Sequence, residues 1–276
     1  MITINQKIVA VNQLNAMKPS RQKLKILQWM GKSKKVYPFA TIGELDFELE
    51  MRLRIMRAAV LMNKSNPGFA TFATTRCNEK YWYLDNRGAI ILKPNVLPHT
   101  ALNDIFINGK KYAFECATAM LIIFYKAVLD SIDTAIFNRL FAGLKLYDWQ
   151  YDADLDLKIF NSTDFLPGDC LYFKNPDVDP KTIHWQGENA ILLDRNLYFA
   201  HGIGIVPGKF IIDFLNTKRK KNAKREAYLT DVVAIPNFRY LSQFRCLDDR
   251  GVFRLQEICH PANLIVSEIG TKTYLL

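Results

Sequence analysis

Apolar and polar positions follow a helical spacing after Phe39. Thr41-Ile42-Gly43-Glu44 has the form of a capping box, in which the threonine and glutamate side chains bind the first free backbone amides of a helix. The apolar residues that follow are three or four positions apart and share one face, while the arginines fall largely on the others. The apolar set is Leu45, Leu49, Leu53 and Met56, and the arginines are Arg52, Arg54 and Arg57. This pattern predicts a helix that begins at Thr41 and packs on a core.

Short segments rich in aromatic and branched residues, bounded by turn formers, predict strands. They lie at 81–83, 89–92, 170–173, 189–193 and 197–200. Asp194-Arg195-Asn196 predicts a tight turn between the last two, which makes them an antiparallel hairpin. Glu188 and His201 then lie at the two open ends of that hairpin. The mixture of elements indicates the α+β class.

The most apolar stretch of the chain lies at about 112–129 and predicts a helix buried on nearly all sides. Its uncharged part is interrupted by Lys126 and is too short to cross a bilayer, which needs about 20 residues. Cys116 falls in the first turn or two of this helix.

Composition supports a well-filled core, because 49% of the 276 residues are apolar and 23% are charged. No repeat or linker-like tract separates Phe39 from Pro236, so we predict a single catalytic domain over 1–276. Its core is placed at about 36–236, with an N-terminal extension and a tail at 237–276 that includes the strand-like Leu264-Ile265-Val266. The N-terminus lacks the pattern of a signal peptide.

The formal net charge of +10 comes from basic residues that gather at 18–35, 52–57 and 218–225. We interpret these groups as solvated faces rather than a nucleic-acid site, with attraction to acidic protein surfaces as the functional alternative. The five cysteines have no paired short spacing, which favours a reducing compartment. The cysteines and four histidines show no zinc spacing and no loop resembles a calcium site, so we predict no metal and no cofactor.

Cys116 is a candidate nucleophile because the amides and dipole at a helix N-terminus favour a thiolate and stabilise an oxyanion. An isolated cysteine in an apolar helix is more often an inert core residue. The order of Cys116, then a hairpin with Glu188 and His201, is compatible with papain-like enzymes, whose usual base is a histidine.

Several segments together carry a specific resemblance. They are Phe114-Glu115-Cys116-Ala117-Thr118-Ala119, Leu146-Tyr147-Asp148-Trp149, Gly168-Asp169-Cys170-Leu171-Tyr172-Phe173-Lys174-Asn175-Pro176, Trp185-Gln186-Gly187-Glu188-Asn189 and Tyr198-Phe199-Ala200-His201-Gly202-Ile203-Gly204. From about 39 to 234 the chain resembles the spore-coat protein-glutamine gamma-glutamyltransferases of spore-forming bacilli.

The resemblance implies a papain-like core of the NlpC type, with the nucleophile near the start of a buried helix packed on an antiparallel sheet. It implies Cys116 as the nucleophile, Glu188 as the principal acid and base, Glu115 as a partial substitute, and His201 in a supporting role. A carboxylate in the first helical turn also favours the helix dipole, so a structural role for Glu115 is weighed equally. Phe69, Trp149 and Trp185 are candidates for an apolar wall at the substrate site, although each is also an ordinary core residue by type.

The resemblance further implies calcium-independent formation of isopeptide bonds between glutamine and lysine, with release of ammonia. The expected partners are proteins with accessible Gln and Lys, in particular spore coat proteins, and neither nucleic acid nor a membrane. We expect a monomer made in the cytoplasm of the mother cell and deposited on the spore coat. The tail residues Cys246, Cys259 and His260 match no catalytic motif.

Two other functions remain open from the sequence. The first is a cysteine peptidase or amidase of the same fold, in which water resolves the thioester. The second is a non-enzymatic basic coat or nucleic-acid-binding protein that retains an old enzyme fold. Cys116, Glu188 and His201 together weigh against the second alternative.

Overall fold

A computed structural model describes residues 1–245, 266–269 and 272–275 of the chain. It combines helices with sheets, the largest of which is antiparallel, in agreement with the predicted α+β class. The helices in these residues are α1 (Arg21–Lys32), α2 (Ile42–Ser65), α3 (Pro98–Ile107), α4 (Cys116–Leu129), α5 (Thr134–Leu140), α6 (Gly208–Asn216) and α7 (Phe238–Leu241). None of them is both long enough and apolar enough to cross a membrane.

The described residues also form four small sheets. They consist of β1 (Ile2–Ile4), β2 (Lys7–Val9) and β3 (Tyr37–Phe39); β4 (Gly68–Phe69) and β7 (Ala113–Phe114); β5 (Trp82–Leu84), β6 (Ile90–Leu92) and β8 (Lys145–Leu146); and β15 (Val266–Ile269) and β16 (Lys272–Leu275). The strand predicted at Leu264 and Ile265, and the tail residues Cys246, Cys259 and His260, lie outside the described residues.

The largest sheet is antiparallel throughout and has six strands in the order β13-β12-β11-β10-β14-β9. Its strands are β9 (Lys158–Asn161), β10 (Cys170–Lys174), β11 (Gly187–Asp194), β12 (Leu197–Ala200), β13 (Gly204–Pro207) and β14 (Tyr228–Ile235). The predicted hairpin of β11 and β12 is confirmed, with Ala190 opposite Ala200 and a turn in which Asn196 has a φ of 56°.

Helix α2 begins where the sequence predicts, but its capping differs in one bond. Thr41 accepts from the Glu44 backbone N–H at 3.1 Å, whereas the Glu44 carboxylate accepts from Ala40 at 2.7 Å. The glutamate therefore holds the residue before the N-cap instead of the N-cap itself, and the chain entering from β3 is tied to the helix.

The prediction of a solvated arginine face on α2 is wrong for Arg52 and Arg54, which are 3% and 8% exposed. Arg52 donates to Glu48 at 2.9 Å and to Asp169 at 2.7 Å, and Arg54 donates to Glu50 at 2.9 Å. Glu48 and Glu50 lie one helical turn before the arginines, and Asp169 lies directly before β10. These carboxylates compensate the buried positive charges. The Arg52–Asp169 ion pair thereby links α2 to the large sheet.

Helix α4 starts at Cys116, four residues after the predicted start, because 113–114 form β7 beside β4. Every residue of α4 except Lys126 is buried. The helix packs against α2, α3 and β11, so the prediction of a buried helix on an antiparallel sheet is confirmed. This packing presents the first residue of α4 at the edge of the core.

The N-terminal segment packs on the rest of the chain. Ile2, Leu14 and Leu27 form a buried cluster with Leu45 and Leu49 of α2. The apolar positions among the lysines of 1–35 therefore extend the core beyond the predicted limit of residue 36.

Candidate active site

Cys116 is the first residue of α4, and Glu115 is its N-cap. The Glu115 carboxylate accepts from the backbone N–H groups of Ala117 at 2.7 Å and Thr118 at 2.6 Å. A carboxylate at this place satisfies free amides and interacts favourably with the helix dipole. The helix therefore begins at Cys116 because Glu115 ends the extended β7 and caps the first turn.

The Cys116 thiol faces β11 and is 8% exposed. Asn189 of β11 donates its side-chain amide to Sγ at 3.5 Å. Asn189 lies opposite Tyr172 in the β10–β11 register, and both side chains line the same cavity as Cys116. Two neighbouring strands thus supply polar groups around the thiol.

Glu188 precedes Asn189 and is fully buried. Within the described residues, neither of its carboxylate oxygens has a hydrogen-bond partner of ordinary geometry. Burial and the charge of Glu115 raise the pKa of Glu188 well above its usual value, and the His201 backbone amide and the Cys116 thiol offset part of this rise. The thiol and the carboxyl group are therefore neighbours that influence each other's protonation.

The pKa of Cys116 is also raised well above that of a free thiol. Burial is the largest cause, and the charges of Glu188 and Glu115 add to it, whereas hydrogen bonds from Asn189 act in the opposite direction. Burial therefore disfavours the charged form of both the thiol and the carboxyl group.

His201 lies behind the site and is 2% exposed. Its Nε2 lies 3.0 Å from the Phe114 carbonyl and 3.2 Å from the Gly68 carbonyl, so the neutral ring donates to the ends of β7 and β4. Burial lowers the pKa of His201 to about 4. The ring stacks on Phe114 with centroids 4.9 Å apart. This geometry fixes the two strands that lead to Phe69 and Cys116.

A cavity of about 470 Å³ opens in front of Cys116. It is lined by Phe69, Thr71, Phe72, Glu115, Cys116, Ala117, Asp148, Trp149, Ile159, Cys170, Leu171, Tyr172, His184, Gln186, Gly187, Asn189, Val232 and Ala234. Of the three predicted wall residues, Phe69 and Trp149 lie on its surface. Trp185 lies beneath Phe69, with stacked rings 4.5 Å apart, and supports the wall without being part of its surface.

Sequence reasoning assigned no role to Asn189, Tyr172, His184 and Asp148, which all line the cavity. Asn189 and Tyr172 lie inside quoted motifs, and the alternation of strand residues could have placed both on one face. His184 lies in a short 3-10 helix (Pro180–Trp185) and Asp148 in a turn, where periodicity carries no such signal. In the described part of the chain, no group of three or more His, Cys, Asp or Glu side chains could hold a metal ion.

Residues 1–245 match the sequence profile of the family described as protein-glutamine gamma-glutamyltransferase. Relatives with that name from Bacillus mycoides (strain KBAB4) and Bacillus cereus (strain B4264) are both 44% identical over 245 residues, which is 88% of this chain and 89% of each relative. The structure is similar to that of the transglutaminase from Geobacillus stearothermophilus without its C-terminal extension. The TM-score is 0.73 and the identity 52%, over 75% of this chain and all of that one.

Proposed function

Because this chain belongs to the protein-glutamine gamma-glutamyltransferase family, we propose that its transglutaminase reaction takes place at Cys116 in the cavity at the start of α4. One observation carries this assignment: Cys116 is the first residue of a buried helix, beside the fully buried carboxyl group of Glu188. Thiol and carboxyl groups in this arrangement are suited to acyl transfer, since one supplies the nucleophile and the other moves protons.

In the first half-reaction the sulfur of Cys116 attacks the carboxamide carbon of a glutamine side chain. The thiol proton passes to the Glu188 carboxylate as the carbon–sulfur bond forms. The same proton then passes to the departing nitrogen, so the carbon–nitrogen bond breaks, ammonia leaves and a thioester remains. Concerted transfer avoids a free thiolate beside Glu115 and Glu188, which the raised pKa of Cys116 disfavours.

In the second half-reaction a neutral lysine amine attacks the thioester carbonyl. Its proton passes to Glu188 and from there to the departing sulfur, which restores the thiol and leaves an isopeptide bond. Water competes with the amine for the thioester. Phe69 and Trp149 on the cavity surface, with Trp185 beneath Phe69, limit its access.

Glu115 and His201 have supporting roles beside Cys116 and Glu188. The Glu115 carboxylate caps α4 and is the second carboxylate near Cys116, so it takes part of the proton transfer when Glu188 is missing. His201 remains neutral and positions Gly68 and Phe114 instead of acting as the base. A buried helix that starts at the nucleophile and packs on an antiparallel sheet supports the proposal that the core is papain-like.

Further properties of the reaction follow from the family resemblance. We expect the enzyme to act as a monomer without calcium. We also expect it to cross-link spore coat proteins after synthesis in the mother cell. Accessible glutamine and lysine side chains on those proteins are its substrates in this proposal.

The decisive experiment incubates the enzyme with a glutamine-containing peptide and a lysine-containing peptide and analyses the products by mass spectrometry. An isopeptide-linked product with loss of ammonia is expected, in the presence or absence of EDTA. Cys116→Ala removes this product, whereas the matched control Cys77→Ala, which changes a thiol outside the cavity, retains it. Glutamate formation alone would support an amidase instead, and full activity of Cys116→Ala would place the reaction elsewhere.

A further inference from the structure

The cavity in front of Cys116 is lined by two carboxylates and one histidine, His184. Glu115 and Asp148 are among the described residues on its surface, which include no lysine or arginine. The cavity surface therefore differs in charge from the whole chain, whose formal net charge is +10. A cationic substrate group therefore meets carboxylates but neither lysine nor arginine at the described cavity surface.

Asp148 is the carboxylate left free to meet such a group. Both oxygens of Glu115 are occupied by the amides of Ala117 and Thr118. Glu188 is fully buried and is not among the residues that line the cavity. Asp148 is exposed, and within residues 1–245 its carboxylate forms no hydrogen bond or ion pair. Its charge is therefore not used by the fold.

The backbone holds Asp148 in a defined place beside the nucleophile. Its N–H donates to Thr118 Oγ1 at 3.0 Å, and Thr118 lies two residues after Cys116 in α4. Asp148 has a φ of 47°, and the turn is closed by a bond from the Gln150 N–H to the Tyr147 carbonyl at 2.9 Å. Aspartate and asparagine tolerate this left-handed conformation better than most residues.

We infer that Asp148 is a specificity residue that binds the ε-ammonium of the acceptor lysine at the cavity entrance. The lysine side chain carries a positive charge at neutral pH and must reach the thioester before it loses a proton. An exposed carboxylate attracts it there, and the aromatic surface of Trp149 accommodates its aliphatic stem. This inference rests on the proposed reaction at Cys116.

Asp148→Asn tests the charge without disturbing the turn, because asparagine also adopts a left-handed backbone. The expected result is a rise in KM for a lysine-containing acceptor peptide of about two- to fivefold at low ionic strength, in the range of an exposed ion pair. Two readouts distinguish this role from a structural one. Hydroxylamine, an acceptor that is uncharged at neutral pH, keeps its KM, and the KM for the glutamine donor is unchanged.

Asp213→Asn is the matched control, since it removes the same charge from the exposed side of α6 where Asp213 pairs with Lys209. It should leave the lysine KM as in the unmodified enzyme. Added salt should weaken lysine binding in the unmodified enzyme and have little effect on Asp148→Asn. Equal losses with lysine and hydroxylamine, or no change with lysine, overturn the role of Asp148. Cross-linking by Cys116→Ala would instead overturn the proposed reaction at Cys116.

Discussion

The side-chain amide of Asn189 donates to Sγ of Cys116 across 3.5 Å, which connects β11 directly to the first residue of α4. This bond favours the thiolate, while burial and the charges of Glu188 and Glu115 favour the thiol. Single substitutions should therefore move the pKa of Cys116 in either direction, depending on which influence is removed.

Asn189→Leu removes the amide donor while keeping a similar volume. The pKa of Cys116 should rise, and alkylation by iodoacetamide at neutral pH should slow by about tenfold, as expected for the loss of a hydrogen bond to a charged group. Mass spectrometry of the peptide that contains Cys116 measures the rate. An unchanged rate over the pH range would show that Asn189 does not stabilise the thiolate.

Glu115→Gln should have the opposite effect on the thiol. The charge of Glu115 raises the pKa of Cys116, so its removal should shift the alkylation profile to lower pH. Glutamine keeps one oxygen to accept a backbone amide, and the loss in stability should be only about 0.5–1 kcal/mol. The pH dependence of alkylation and urea unfolding provide the two measurements. A shift of the profile to higher pH would contradict the electrostatic role.

Glu188→Gln should change how stability depends on pH. The folded pKa of Glu188 is raised, so the folded state retains a proton that the unfolded state loses above about pH 4.5. Stability from this group is therefore complete below the unfolded pKa and is lost as pH rises toward and through the folded pKa. The variant should lack this decline.

Urea unfolding of both proteins across that range tests the Glu188 effect, because the other titrating groups contribute nearly equally and cancel in the difference. Parallel stability curves would mean that the folded pKa of Glu188 is close to its usual value. Cross-linking by the same variant should fall sharply, with a residual rate that Glu115 supports.

The stability that His201 contributes should depend on pH in the opposite sense to that of Glu188. Its folded pKa of about 4 lies below the ordinary histidine value of 6.5, so the unfolded state binds more protons between these values. Its contribution is complete above about pH 6.5 and is lost as pH falls toward 4. Two-dimensional NMR of the ring should show a neutral imidazole at pH 6, and a protonated ring there would contradict the buried arrangement.

His201→Ala should also lower the free energy of unfolding at neutral pH, by about 1–3 kcal/mol for the unpaired carbonyls alone. Those carbonyls belong to Gly68 and Phe114. His201→Gln retains a donor and should recover part of the loss. Equal destabilisation by both variants would indicate that ring packing on Phe114, and not the hydrogen bonds, is what His201 provides.

Local sequence signals predicted the elements that depend on near neighbours. The Thr41 cap, the hairpin at 187–200 and the buried helix after Glu115 were all identified from spacing and turn chemistry. The start of α4 was predicted too early because the apolar residues 113–114 fit a buried helix as well as a buried strand. Only their pairing with β4 makes them extended. Arg52 and Arg54 were predicted to be solvated, but both are buried because nearby carboxylates pair with their charges.

The sequence by itself determined the fold class, the family resemblance and the identity of the candidate nucleophile, because these depend on residue type and order. Only the tertiary structure decided how the nucleophile is surrounded. Asn189, Asp148 and His201 lie far from Cys116 along the chain, and their distances, burial and free or occupied atoms arise from packing. Burial and nearby charge set the protonation of Cys116 and Glu188, and no local sequence pattern encodes either quantity.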